Sequence, residues 1–231
     1  VALIFGGRSA EHEISLISAS AIHKNLDRSK FEVLSVYISR QGLWKPVEAP
    51  KTDVGALEAG PAFSFLPWRG GAPGPEIDAD IYFPVLHGPY GEDGTIQGLL
   101  EMAGVPFVGA GVLGSALGMD KAASKSVLQA NGLPVVPWLS IREADWKSDP
   151  VRFLRRVRRT LPFPLFVKPA NLGSSVGVTK VVGAGGLPDA LAAAFRYDTT
   201  VLVEKGIRGR ELECSVLGNE RPEASLPGEV I

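Results

Sequence analysis

The sequence predicts an α/β protein that opens with a doubly wound parallel sheet. Three observations carry this expectation. A short apolar run, VALIF, ends at Gly6-Gly7, the form of a buried parallel strand entering a turn. Ile14, Ile17, Ala21 and Ile22 then recur at helical spacing. A second apolar run, FEVLSVYI, follows within the spacing of a strand–helix–strand unit. In such a sheet any ligand is expected at the carboxyl ends of the strands.

The elements follow in order. Ser9 is placed to N-cap the first helix, with Glu11 and Glu13 in its first turn, where carboxylates complement the helix dipole. From about Pro46 to Pro75 the chain is rich in Gly, Pro and Ala without periodicity, which predicts a long excursion or an edge hairpin. ADIYFPVLHG resumes the sheet and ends at His87-Gly88; a helix holding Gln97, Leu99, Leu100 and Met102 follows, and VPFVG reads as the next strand. From Met119 the texture changes. DKAASKSVLQANG predicts a helix closed by Asn131-Gly132, and VVPWLSI a strand. A further helix with Phe153, Leu154, Val157 and Leu161 on one face leads to the strand FPLFVK. A domain boundary is expected near residue 113, giving units 1–113, 114–203 and the start of a third at 204–231. Both ends read as interrupted strands, Val1 at one and EVI at the other.

Composition narrows the function classes. A length of 231 residues predicts two compact units, with a third possible. The formal net charge is -1, so no global field draws the molecule to nucleic acid or an anionic membrane. The arginines of RFLRRVRR fall opposite the apolar stripe of their helix and read as a solvated face. Met102 to Met119 carries no charge but holds five glycines and a proline, too little side chain for a membrane span. The single cysteine, Cys214, excludes an internal disulfide and suits a reducing cytosol. It alternates with Leu212 and Val216, which predicts a buried strand position.

Three stretches bear on chemistry. GAGVLG, residues 109–114, matches the dinucleotide fingerprint in letters, yet it follows the last strand of the first unit and no acidic residue stands where the ribose would need one. A glycine-rich hinge accounts for it better, with an NAD-binding or regulatory domain as the rival. KPANLGSSVGV sets Lys168 on a strand, because Pro169 biases it toward extended backbone. Gly173 and Gly177 then let the loop bring N–H groups to an anion, and Ser174 and Ser175 add hydroxyl donors. Taken alone, the stretch fits either a two-sided polyphosphate grip or a surface hairpin with a chance lysine. In VLVEKGIRGRELECSVLG, Glu204 and Lys205 end an apolar run and Glu211 follows a Gly-Arg turn. Glu204 and Glu211 could accept from an adenine amine and ribose hydroxyls, or stand as solvent-facing carboxylates on an edge strand.

Together FGGRSAEHEISLISA, HGPYGEDGTIQGLLE, SALGMDK, KP-x-x-x-GSSVGV and VEKGI-x-GRELE resemble the D-alanine–D-alanine ligase family of the ATP-grasp superfamily, over nearly the whole chain. The resemblance implies an N-terminal α/β domain followed by an ATP-grasp fold. It implies ATP with Mg2+ or Mn2+, D-alanine as substrate, a cytoplasmic enzyme of peptidoglycan precursor synthesis, and a homodimer through the first domain. By resemblance, Lys121 and Lys168 bind the ATP phosphates with Ser175 beside them, while Glu204, Lys205, Ile207 and Glu211 line the adenine and ribose pocket. Glu11 matches the glutamate near the ammonium of the first D-alanine, Ser174 the serine that orients the substrate carboxylate, and His87 a histidine at the first-domain rim. Leu172 stands where some members carry glutamate. The family's metal-binding carboxylates and asparagine, its intermediate-stabilising arginine and its lid tyrosine are expected beyond residue 231, so no metal ligand is assigned. A D-alanine–D-lactate or D-alanine–D-serine ligase of the same fold is the nearest alternative.

Overall fold

A computed structural model describes residues 1–59, 62 and 77–231. The first sheet has the order β3-β2-β1-β4. Strands β1 (Ala2–Gly6), β2 (Leu34–Ile38) and β4 (Tyr82–Leu86) run parallel, as the strand–helix–strand spacing predicts. Strand β3 (Trp44–Val47) pairs antiparallel at the edge, where Pro46 costs no ladder bond to a further strand. Part of the predicted excursion is thus an edge strand, followed by the short helix α2 (Val54–Glu58). Its remainder, residues 60, 61 and 63–76, lies outside the described residues.

Helix α1 (His12–Asn25) packs on this sheet with a different face from the one its isoleucines predict. Ile14 and Ile17 are 50% and 57% exposed, whereas His12, Ser15, Leu16 and Ala19 are buried. The reason lies in hydrogen bonding. Ser15 Oγ accepts from Gly6 N at 2.8 Å and donates to the Val85 carbonyl, so a polar side chain closes the ends of β1 and β4. His12 Nδ1 lies 2.6 Å from the Gly7 carbonyl. These satisfied groups make the inward face; Ile14 and Ile17 are left outside, and of the predicted isoleucines only Ile22 packs against the core. Ser9 does not cap α1 either. Glu11 holds the N-cap position, while Ser9 Oγ accepts from Glu11 N at 3.1 Å and donates to His87 O at 2.6 Å.

Beyond β4 come α3 (Thr95–Met102), α4 (Val112–Met119) and α5 (Lys121–Ala130). The run VPFVG forms no strand of its own; Phe107 makes a single parallel bridge to Tyr82. The second sheet is antiparallel, in the order β5-β8-β6-β7. Its strands are β5 (Trp138–Arg142), β6 (Leu165–Pro169), β7 (Thr179–Val181) and β8 (Thr200–Lys205). Helix α6 (Glu143–Ser148), which no periodicity announced, precedes α7 (Pro150–Thr160), and α8 (Leu187–Ala194) follows β7. One sheet face meets α7 and α8: Leu165, Val167, Val201 and Val203 pack with Phe153, Val157, Leu187 and Leu191. Each such side chain contributes about 1.5–3 kcal/mol by leaving water. The arginines of α7 lie on its exposed side.

The last strands, β9 (Glu211–Glu213), β10 (Val216–Leu217), β11 (Glu223–Ala224) and β12 (Gly228–Val230), form two two-stranded ribbons, β9 with β12 and β10 with β11. The run ELECSVLG is therefore interrupted, and Cys214 falls in the break, exposed rather than buried. Alternation gives a face but not a covering layer, and no described element packs over these ribbons.

Candidate functional site

The second sheet's other face carries charge. Across the β6–β8 ladder, Phe166 stands opposite Glu204 and Lys168 opposite Leu202, so all four point to one side. Lys168 Nζ closes an ion pair with Glu204 Oε1. Lys125 Nζ, from α5, stands 3.1 Å from Glu204 Oε2. Burial alone would raise the Glu204 carboxyl, but the ammonium groups of Lys168 and Lys125 hold it below the usual carboxylate range.

Helix α5 begins where the site needs a cation. Asp120 caps it, accepting from Ala122 N at 2.9 Å and Ala123 N at 3.0 Å, and Lys121 follows as the first helical residue. Its ammonium donates to the carbonyls of Ala170 (3.3 Å) and Leu172. Burial and the nearby charge of Lys168 push the Lys121 pKa down, with Asp120, Asp198 and Glu204 opposing. A second cation so close to Lys168 is held at a cost that an anion between them would relieve.

The loop after β6 is anchored and bent. Asp198 accepts from Asn171 N at 2.8 Å and from Asn171 Nδ2 at 3.0 Å. Ser174 (φ 46°) and Ser175 (φ 58°) both hold left-handed backbone, a conformation that costs non-glycine residues about 1–3 kcal/mol each. Gly177 (φ 72°) is required on two counts, since a Cβ there would stand 2.8 Å from Pro169 Cγ and 2.9 Å from Tyr197. The bend aims Ser174 Oγ at Glu11, to which it donates a hydrogen bond across 163 positions of sequence. The Glu11 carboxylate is flanked by Gly88, just after β4, and Gly173, in the loop after β6, and a side chain at Gly88 would collide with it.

A cavity of about 950 Å³ lies between these features. It gathers most of the positions singled out in the sequence. Lys121, Lys168, Ser174, Ser175 and Glu204 line it, and so do His87, Lys205, Ile207 and Glu211. His87 Nε2 is also 3.0 Å from Ser18 Oγ, which fixes the ring at the rim. Ile207 is 62% exposed and Glu211 lies in the exposed ribbon, so the cavity's outer wall is thin. Glu11 is not among the lining residues and joins the site through Ser174. Gly109 and Gly114 of the GAGVLG stretch also border the cavity, at the entry to α4.

Two partners escaped the sequence reading. Lys125 lies one helical turn after Lys121, a spacing that could have signalled a shared face. Asp198 has no local signal, because its role depends on a contact 27 positions away. Among the described residues, no group of three His, Cys, Asp or Glu converges to hold a metal ion. The site residues present therefore do not make a magnesium or manganese site by themselves.

Comparison with known proteins places this architecture. Residues 1–110 match the family model described as "D-ala D-ala ligase N-terminus", and residues 127–231 match "D-ala D-ala ligase C-terminus". A D-alanine–D-alanine ligase from Natranaerobius thermophilus is 44% identical over the whole chain, covering 66% of its own length. One from Enterococcus gallinarum is 45% identical, with 74% of its length covered. Among solved structures, the D-alanine–D-alanine ligase from Coxiella burnetii superposes with a TM-score of 0.85 at 36% identity, covering all of this chain and 70% of that one. A D-Ala:D-Ser ligase from Enterococcus faecalis gives 0.87 at 36% identity, covering 99% and 68%. All are ligases by name. The chain belongs to the D-alanine–D-alanine ligase family, and it spans about two thirds of the length of the curated relatives it matches.

Proposed function

We propose that the protein is an ATP-dependent ligase that joins two D-alanines into D-alanyl-D-alanine through an acyl phosphate, in cytoplasmic synthesis of peptidoglycan precursors. The observation that carries this reading is the convergence of Lys121, Lys168 and the Ser174–Ser175 loop on one cavity, with Glu11 joined to the loop. A carboxylate is a poor electrophile for an amine. An oxygen of the first D-alanine's carboxylate therefore attacks the γ-phosphorus of ATP, and ADP leaves. The amine of the second D-alanine then attacks the acyl carbon, and phosphate departs from the tetrahedral intermediate. Lys121 and Lys168 supply positive charge along the phosphoryl path. Glu11, at the N-terminus of α1, meets the first D-alanine's ammonium, and Ser174 orients its carboxylate. The loop's bent backbone closes over the acyl phosphate and excludes water. Glu204, Lys205, Ile207 and Glu211 receive the adenosine end, and His87 stands at the substrate rim. Mg2+ or Mn2+ belongs to the reading through the family.

The divisions into 1–113, 114–203 and 204–231 are proposed as domains, with the glycine-rich stretch near residue 113 as the hinge between the first two. Self-association through the first domain is also proposed, and the exposed Ile14 and Ile17 of α1 supply an apolar stripe for it. The test of activity is product analysis with ATP, D-alanine and either D-lactate or D-serine as competitor for the second site. D-alanyl-D-alanine is expected as the main product, with phosphate release that requires D-alanine. Phosphate release without D-alanine contradicts the reading, and a mixed depsipeptide or D-alanyl-D-serine would move the assignment within the fold.

A further inference from the structure

We propose that Lys125 is a positioning residue of the nucleotide site: it keeps Glu204 paired when Lys168 moves from Glu204 to the phosphates. The inference rests on the ligase reading only in taking ATP as the ligand of the cavity. In the structure one carboxylate faces two ammonium groups. Lys168 holds Oε1 and Lys125 stands 3.1 Å from Oε2, with the side chains of Lys125, Glu204 and Lys168 only 17%, 12% and 21% exposed. Their places differ. Lys168 and Glu204 line the cavity, whereas Lys125 does not and reaches Glu204 from α5 outside the lining.

A triphosphate carries several negative charges and draws Lys168 toward it. Removing one partner of a buried ion pair is costly because it strands the other charge. Glu204 Oε2 is buried, and among the described residues its charged partner is the Lys125 ammonium, 3.1 Å away. Without Lys125, a departing Lys168 would leave a buried carboxylate with no ion-pair partner in contact. Glu204 would then hold Lys168 back or take up a proton, and ATP would bind more weakly by either route. With Lys125 in place, Glu204 stays ionised and Oε1 is freed to accept from an N–H of the base. Lys125 thus separates two tasks, one lysine travelling with the phosphates and one remaining with the carboxylate.

The test is calorimetric titration of the chain with ATP and, separately, with adenosine. For Lys125→Met we expect ATP affinity to fall about tenfold or more. Adenosine leaves Lys168 on Glu204, so its affinity should hold within about twofold, because no charge is stranded. Lys125→Arg should restore most of the ATP affinity. In a Glu204→Gln background, Lys125→Met should cause no further loss, since no carboxylate remains to be paired. Lys125→Gln serves as a second variant should the methionine variant unfold, with the same expectations. Unchanged ATP affinity in Lys125→Met, an equal loss for adenosine, or an equal loss in the Glu204→Gln background overturns the proposal alone. A wild-type chain that does not bind ATP, or a Lys168→Met variant that binds it as well as wild type, overturns the nucleotide reading and this proposal with it.

Discussion

At Glu204 two opposing effects meet, and their balance is measurable. Burial raises the carboxyl pKa from its ordinary 4.5, but the ammonium groups of Lys168 and Lys125 pull it lower and win. A carboxyl depressed in the folded state contributes stability that is complete above its unfolded value and is lost as pH falls through the folded one. Unfolding midpoints measured between about pH 5 and about pH 3 should therefore fall less steeply for Glu204→Gln than for wild type. Parallel acid limbs would show that the lysines do not stabilise the ionised form. Single residues were unevenly legible in the sequence. Lys168 and Ser174 were readable because Pro169 and the glycines constrain their backbone, and Glu204 was readable as an acceptor at the end of an apolar run but not as the partner of Lys168. Lys125 was not, because a lysine on an amphipathic helix reads as solvated until its partner on another element is known. Cys214 failed for the opposite reason: its alternation suggested burial, but the ribbons that carry it have no described layer above them.

At the scale of elements, strand β6 does two things. Lys168 and Phe166 face the cavity, while Leu165 and Val167, both fully buried, anchor the strand in the second core. Leu165→Ala should cost about 2–5 kcal/mol, read as a lowered chemical-denaturation midpoint, since it opens a cavity beneath the site. A loss well under 1 kcal/mol, roughly a surface substitution's effect, would mean the core is not what holds the strand. Edge strand β3 offers a second case. Lys45, 5% exposed, donates to the Glu58 backbone carbonyl at 2.5 Å, and its ammonium lies 3.1 Å from Glu58 Oε2. Lys45→Met should destabilise by about 1–2 kcal/mol, because half-exposed Glu58 loses its counter-charge while water still reaches it. No change in unfolding midpoint would place the pair among the many ion pairs that contribute nothing. The strands β1, β2, β4 and β6 were legible from apolar runs bounded by turns, and the first three as a parallel set; the strand order and the antiparallel pairing of β6 were not. The buried face of α1 was not, because Ser15 and His12 go inward on hydrogen bonds to Gly6, Val85 and Gly7 that periodicity does not encode.

At the scale of the whole molecule, the site exists because the first sheet, with a core cluster on each face, and the second sheet, with one, stand on either side of one cavity. Glu11 belongs to the first and Ser174 to the second, and their hydrogen bond, packed between Gly88 and Gly173, is where the halves meet. The sequence alone offered a phosphate grip or a chance hairpin for residues 168–178. Only tertiary structure shows the loop bent against Glu11 rather than free. Ser174→Ala should keep the fold but loosen the loop, raising the KM for D-alanine more than it raises that for ATP, in steady-state assays. Equal effects on both would detach the serine from the substrate end. The most direct measurement is a crystal structure of the chain with a non-hydrolysable ATP analogue. The account predicts Lys121 and Lys168 on the phosphates, Lys168 withdrawn from Glu204, and Lys125 still beside that carboxylate. An analogue bound elsewhere, or bound in the cavity with Lys168 still on Glu204, would contradict it.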